Sequence, residues 1–314
     1  MGYRMRRRES VAAGVRRIAR EQVDAAFVEI REPVPEPEVT VHQLRKRCKK
    51  IRAVLRLVRT ACPDTYRREN AWYRDTARGL AGTREAQVMV ATFDRVVAGD
   101  RDLLRRHAAV RAALVAERDA GGFDAETVRQ RLVVLEVPLG LARARVRDWT
   151  LDARGFDAIA GGLALTYRRG RQALEAVRRQ PTPERLHEWR KRVGYHWYHL
   201  RLLADTWPVV TRAYRRELHR LSELLGDDHD RVLLRTALLG RPERFGTGAA
   251  LVPLLDRMDA QRAALRADAH LLGGRVYAER PARLVARHRR WWSVWRGHGD
   301  RRDARAAAHG RRRA

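Results

Sequence analysis

One basic helical motif occurs twice in this chain, and the two copies lie 145 positions apart in an ungapped register. The first reads VHQLRKR from Val41 to Arg47, and the second reads LHEWRKR from Leu186 to Arg192. The same offset pairs Leu55, Arg56 and Leu57 with Leu200, Arg201 and Leu202, Pro63 with Pro208, and Leu80 with Leu225. A repeat of this length constrains architecture more than any isolated motif, because each copy must fold as the same supersecondary unit. Two His-x-x-Arg-Lys-Arg segments on like helices predict two basic stripes related by an approximate twofold axis. Such a surface suits an extended anion.

Nearly all of the chain reads as helix. Ala, Leu, Arg and Glu dominate, and apolar residues recur at three- and four-residue spacing, while no alternating strand pattern is evident. The fold class is therefore all-α. Helices are expected at about 5–31, 40–60, 64–80, 83–98, 100–119 and 124–149, and again at about 156–179, 183–205, 208–225, 228–239, 249–272 and 281–296. Stop signals separate them: Pro33 to Pro37, Gly121-Gly122, Pro181 to Pro183, and Gly240 to Gly248. The basic, apolar-poor stretch 297–314 is expected to be a disordered tail.

The motif helices are amphipathic. In the first, Val41, Leu44, Cys48, Ile51, Leu55 and Val58 form an apolar stripe, and His42, Arg45, Lys49, Arg52 and Arg56 form a basic one. In the second, Leu186, Trp189, Val193, Trp197, Leu200 and Leu203 form the core stripe, with His187, Arg190, Lys191, Tyr198 and Arg201 on or near the other face. A charged stripe opposite a core stripe is ordinarily just a wet face. Two copies at a fixed offset, each opening on His, argue for a site.

Charge agrees. Lys and Arg number 67 against 38 Asp and Glu, a net charge of +29. An Arg-rich composition accounts for part of this surplus, and the rest implies a polyanionic partner. The only lysines, Lys46, Lys49, Lys50 and Lys191, all fall in the two repeated helices. Cys48 and Cys62 form neither a disulfide framework nor a metal-ligand spacing, which fits a reducing cytosol. No apolar run approaches the roughly 18 residues that would span a bilayer, and no apolar stretch follows the basic N-terminus as in a secretory signal.

These residues resemble the CHAD family, the conserved-histidine α-helical domain. The first copy is similar to the family pattern H-x-x-R followed by basic residues seven, eight and ten positions after the His, here His42, Arg45, Lys49, Lys50 and Arg52. The second is similar in Leu186 to Lys191 and in Tyr195 and Tyr198. Arg67 to Leu80 and Leu221 to Asp230 also resemble the family, so the likeness runs from about residue 10 to about 295. It implies one domain over 1–296, built of two pseudo-symmetric four-helix-bundle halves (about 5–150 and 155–296) around a basic channel. It further implies a non-catalytic protein that binds inorganic polyphosphate without a cofactor, in the cytoplasm and at polyphosphate granules, with no membrane partner. The residues expected to hold phosphate are His42, Arg45, Lys46, Lys49, Lys50, Arg52, Arg56, His187, Arg190, Lys191, Tyr198 and Arg201. Gly194 stands where the family usually has Lys, so the second half is expected to bind more weakly.

Two rival readings exist. A sequence-nonspecific nucleic-acid binder would use Trp72, Trp189 and Trp197 for stacking, but it needs exposed aromatics interleaved with Arg. Trp189 and Trp197 instead read as core. A metal-dependent phosphohydrolase would use Asp227-Asp228-His229-Asp230 with His219 or His270. That tetrad reads more simply as a helix start with Asp capping. Neither a zinc spacing nor a Gly-rich phosphate loop is present in the sequence.

Overall fold

The structure, a computed structural model, describes residues 2–34, 37–80, 85–120 and 125–310, with the side chains of the last helix described as far as Gly297. Among the described residues there is no strand, so the fold is all-α. The chain opens with α1 (Val11–Arg31), α2 (Pro37–Val58) and α3 (Pro63–Gly79). Then come α4 (Glu85–Val97), α5 (Arg101–Arg106), α6 (Ala108–Ala120), α7 (Ala125–Val134) and α8 (Glu136–Arg145). The remainder comprises α9 (Asp157–Arg179), α10 (Pro183–Leu202), α11 (Pro208–Gly240), α12 (Pro242–Phe245), α13 (Gly248–Val276) and α14 (Pro281–Gly310).

Local chemistry sets the starts. The Ser10 side chain accepts the Ala13 N–H at 3.1 Å ahead of α1, and Thr182 accepts the Arg185 N–H at 3.3 Å ahead of α10. Helices α3 and α11 each begin on a proline, whose missing N–H is no loss at that position. The residues before them, Cys62 and Trp207, share a backbone conformation: φ −160°, ψ 63° and φ −157°, ψ 87°. They stand at the 145-residue offset. The packing order repeats as well. Helix α2 lies against α1 and α3, while α10 lies against α9 and α11. Helix α2 also packs on α9 and α10, which brings the two motif helices into contact.

Helix α1 starts at Val11 where about residue 5 was expected, and four further expectations differ from the observed elements. The break expected near 226–227 is absent, and α11 runs unbroken through Asp227 to Asp230. The tetrad is therefore not a helix start. Asp228 accepts Nε–H bonds from Arg262 (3.1 Å) and Arg266 (3.0 Å) of α13, and Arg95 of α4 lies 3.5 Å from Asp230. These pairs make the carboxylates part of the packing between helices. The helix expected at about 100–119 is broken at His107, whose ring nitrogens lie 3.0 Å from the Leu103 carbonyl and 3.2 Å from that of Ala250. The span 124–149 breaks at Leu135 into α7 and α8. The last helix continues to Gly310, past Gly297 where a tail was expected, and residues 311–314 lie outside those described.

Two hydrophobic clusters form. The larger joins α1, α2, α3, α9, α10 and the first half of α11. The smaller joins α4, α5 and α6 to the far end of α11, α12 and the first half of α13, through Phe93, Val96, Leu114, Leu234, Leu238 and Met258. Helix α9 lies close against α2 at Gly162, where an added Cβ would stand 1.9 Å from the Leu57 carbonyl oxygen. Gly194 on α10 has no neighbour within 4 Å of such an atom. Gly162→Ala should therefore destabilise by about 1–3 kcal/mol through forced backbone separation. Gly194→Ala should instead stabilise by about 0.5–1 kcal/mol through helix propensity. Thermal unfolding of both variants checks this, and shifts of the same sign would count against the close α2–α9 approach.

Candidate polyanion site

The first motif helix folds as its pattern predicts. Val41, Leu44, Cys48, Ile51, Leu55 and Val58 are all buried. The far half of α2 is buried more widely because α9 and α10 also cover it, enclosing Val54 and Leu57. That cover encloses cations too. Lys50, Arg56 and Arg59 are 8%, 7% and 7% exposed. Arg45 and Arg52 are half-buried, and Lys46 and Lys49 are exposed. Arg47 points elsewhere, onto Glu29 (2.6 Å) and Gln22 (3.1 Å) of α1.

Helices α2 and α10 cross antiparallel, and their basic and aromatic residues meet there. Arg56 stacks over the Tyr195 ring at 4.0 Å and donates to the Arg52 carbonyl at 3.1 Å. Arg59 donates to Thr166 Oγ1 at 3.1 Å on α9. Further along the crossing, Arg201 lies over the rings of Tyr3 (5.3 Å) and Trp197 (4.8 Å), and Lys50 lies 5.8 Å from Tyr3. The Tyr3 hydroxyl donates to the Lys50 carbonyl at 2.8 Å, and Tyr198 meets the Tyr3 ring edge-on. Among the described residues no carboxylate pairs with Lys50, Arg52, Arg56 or Arg59 within 4 Å.

The electrostatics follow. Burial, reinforced by Arg47, Arg201 and Lys46 and opposed by Glu29, brings the Lys50 ammonium down to about 8. Burial likewise lowers Arg59 to about 10, with Tyr66 opposing and Arg169 adding to the shift. Arg56 is lowered by burial, partly offset by Tyr195, with Arg52 and Arg192 adding repulsion. Arg215 of α11 is lowered by burial and by Arg201 and Arg212. A cluster of like charges is thus held together in a partly dry place.

The start of α10 forms a separate group. The His187 ring lies 4.5 Å from that of His229 on α11, and its Nδ1 is buried with no partner. Burial, then His229, Lys191 and Arg190, take His187 down to about 4. Arg190 is half-buried beside Gly226. Lys191 is held by Glu188 at 2.6 Å, which also pairs with Arg192. His42 is half-buried on α2.

Of the expected residues, the crossing thus gathers Lys50, Arg52, Arg56, Tyr198 and Arg201, while His187, Arg190 and Lys191 sit about one to two turns before Tyr195 along α10. Reasoning from sequence missed Tyr3, Arg59, Tyr66 and Arg215 as neighbours of these cations, and it named Tyr195 only within the family resemblance. Arg59 continues the Arg52–Arg56 spacing and was available. Tyr3 arrives from 47 residues away and has no local signal. Trp189 is fully buried as expected, but Trp197 is half-buried and His196 takes the core position instead.

Among the described residues no group of three or more His, Cys, Asp or Glu side chains is placed to hold a metal ion, and no helix is long and apolar enough to cross a membrane. None of the curated proteins matches the chain. The family model of the CHAD domain matches residues 17–239, a span holding both motif helices and their crossing, and the chain belongs to the CHAD family.

Proposed function

We propose that this protein binds inorganic polyphosphate, or a closely similar phosphate polyanion, at the α2–α10 crossing. One observation carries the reading: Lys50, Arg56 and Arg59 are almost wholly buried, and among the described residues no carboxylate pairs with them within 4 Å. A buried, unpaired charge costs several kcal/mol. A chain of phosphates would supply the missing anions and release its own counterions. Arg45, Lys46, Lys49, Arg52 and Arg201 would extend the basic track, with His42 and His187 as donors towards its ends.

The contacts across the crossing support an approximate twofold relation between the halves. Arg56 meets Tyr195, while Lys50 lies within the electrostatic reach of Arg201. The 145-residue offset converts the first pair into the second with the helices exchanged. In this reading the protein is a non-catalytic binder without a cofactor, acting in the cytoplasm and at polyphosphate granules.

Nucleic acid is the weaker occupant of this site. The aromatic faces there already carry cations: Arg56 covers Tyr195, and Arg201 covers Tyr3 and Trp197. Each of these cations takes an aromatic face that a base would need for stacking. Gel-shift titration with polyphosphate, duplex DNA and RNA at matched phosphate concentration and two salt concentrations tests this. Polyphosphate should bind most tightly at about 150 mM salt, where long-range attraction between exposed charges is screened. Equal or tighter DNA binding under those conditions would sink the assignment.

A further inference from the structure

The start of α11 and the middle of α14 enclose a groove of about 450 Å3. Its walls are aromatic and its rim is basic. Trp207 is 48% exposed and meets Trp291 edge-to-face at 5.3 Å. Val294 and Trp295 continue the wall. Arg287 lies over Trp291 at 4.6 Å, and Arg296 lies over Trp295 at 5.4 Å. Residues 281–297 hold five arginines and no carboxylate. Arg7 also lines the groove, and its Nε and Nη2 are buried without any hydrogen-bond partner.

We propose that this groove is a second binding site, for single-stranded nucleic acid. A base would lie against Trp207, and a neighbouring phosphate would accept from the Arg7 guanidinium. Each part of the groove answers one part of a nucleotide: an open aromatic face for the ring and an unpaired fork of donors for the phosphate. Interleaved aromatic and Arg residues are what the polyphosphate site lacks in free form, and inorganic polyphosphate has no ring to place here. Duplex DNA is excluded because its bases are stacked within the helix. An anionic membrane would also answer aromatic and basic residues. However, the feature is concave, and the one carboxylate lining it, Asp205, is held by Arg4 at 3.1 Å. A flat bilayer surface cannot enter a concave groove, whereas a single flexible strand can.

The test uses the full chain, a labelled oligouridylate followed by fluorescence anisotropy, and two variants. Trp207→Leu keeps apolar area but removes the π face, and Arg7→Gln removes the charged fork. Each should weaken oligouridylate binding by about 10-fold, while polyphosphate affinity stays within about 2-fold of the original protein. Circular dichroism confirms that the variants fold. Unchanged oligouridylate affinity in both folded variants would overturn the proposal. So would flotation with phosphatidylglycerol vesicles by both the original protein and Trp207→Leu while neither binds oligouridylate, since that pattern describes a membrane contact. Failure of polyphosphate binding in the original protein would instead strike the α2–α10 assignment and leave this one standing.

Discussion

Replacing Arg56 with methionine is expected to lower polyphosphate affinity by about 10- to 100-fold while leaving the free protein at least as stable as before. The two effects oppose each other because the cation is dry and lacks a carboxylate. Its removal loses the stacking on Tyr195, worth up to about 2 kcal/mol. It also removes a desolvation penalty of several kcal/mol. Methionine has nearly the same reach and keeps a favourable contact with the Tyr195 ring. Against a phosphate the balance reverses, since a charge-assisted hydrogen bond contributes about 1.5–3 kcal/mol. Thermal shift reads both quantities. The original protein should gain about 2.7 kcal/mol of stability when polyphosphate is present at a hundred times its Kd. The variant should melt no lower without ligand and gain much less with it. A variant that is destabilised yet responds fully to polyphosphate would show that Arg56 is only a packing residue.

Acidification should unfold this protein steeply, and buried histidines are the reason. His196, His199 and His288 are all less than 2% exposed. Both ring nitrogens of His196 and of His288, and Nδ1 of His199, are buried with no partner. The His196 ring sits against Tyr167, Tyr214 and Tyr277, and Trp291 lies beside His288. Burial, aided by Arg287, depresses His196 to about 3, and burial, aided by Arg287 and His196, depresses His288 to about 3. His199 is also lowered by burial, with His196 and Arg59 adding to it. In the unfolded chain each ring takes up its proton near 6.5. Between pH 6.5 and 3 the unfolded state therefore holds more protons than the folded one, and stability falls as pH falls. Each histidine contributes a slope of about 1.4 kcal/mol per pH unit, so three together approach about 4. Denaturant melts at pH 7, 6, 5 and 4.5 measure the slope. His196→Phe, which keeps an aromatic ring in the same cluster, should flatten it by about 1.4 kcal/mol per unit. Constant stability down to pH 4.5 would mean that these rings are not held neutral.

What could be read in advance depended on how one-sided each helix is. Helix α2 carries one clean apolar stripe, and every residue assigned to it is buried. Helix α10 is apolar or aromatic around more of its circumference, so a step of four after Val193 looked as good as a step of three. The step of four put Trp197 in the core. The structure buries His196 instead, because three tyrosines from α9, α11 and the end of α13 form a pocket for its ring. Those tyrosines are remote in sequence, and no periodicity within α10 could announce them. The same holds for the site. The repeat identified the helices that carry the cations, but the partners of those cations, Tyr3, Tyr66 and Tyr195, are set by how helices and the N-terminal segment come together. Trp291 and Trp295 gave no warning either, since a Trp-rich helix reads equally as core or surface until its neighbours are placed.

Helix α11 has a consequence for how the molecule comes apart. It is one rod of 33 residues, about 50 Å long. At the 145-residue offset the first copy covers the same span with two shorter helices, α3 and α4. Leu218, Leu221 and Leu225 of the rod belong to the larger core, and Leu234 and Leu238 to the smaller. A break in α11 between Leu225 and Leu234 would let the smaller core open as an independent unit. An unbroken rod ties the opening of one cluster to fraying in the other, and this joins the two into a single cooperative block for amide exchange. The slowest-exchanging amides should then run through the middle of α11 from one cluster into the next, without a zone of fast exchange between Leu225 and Leu234.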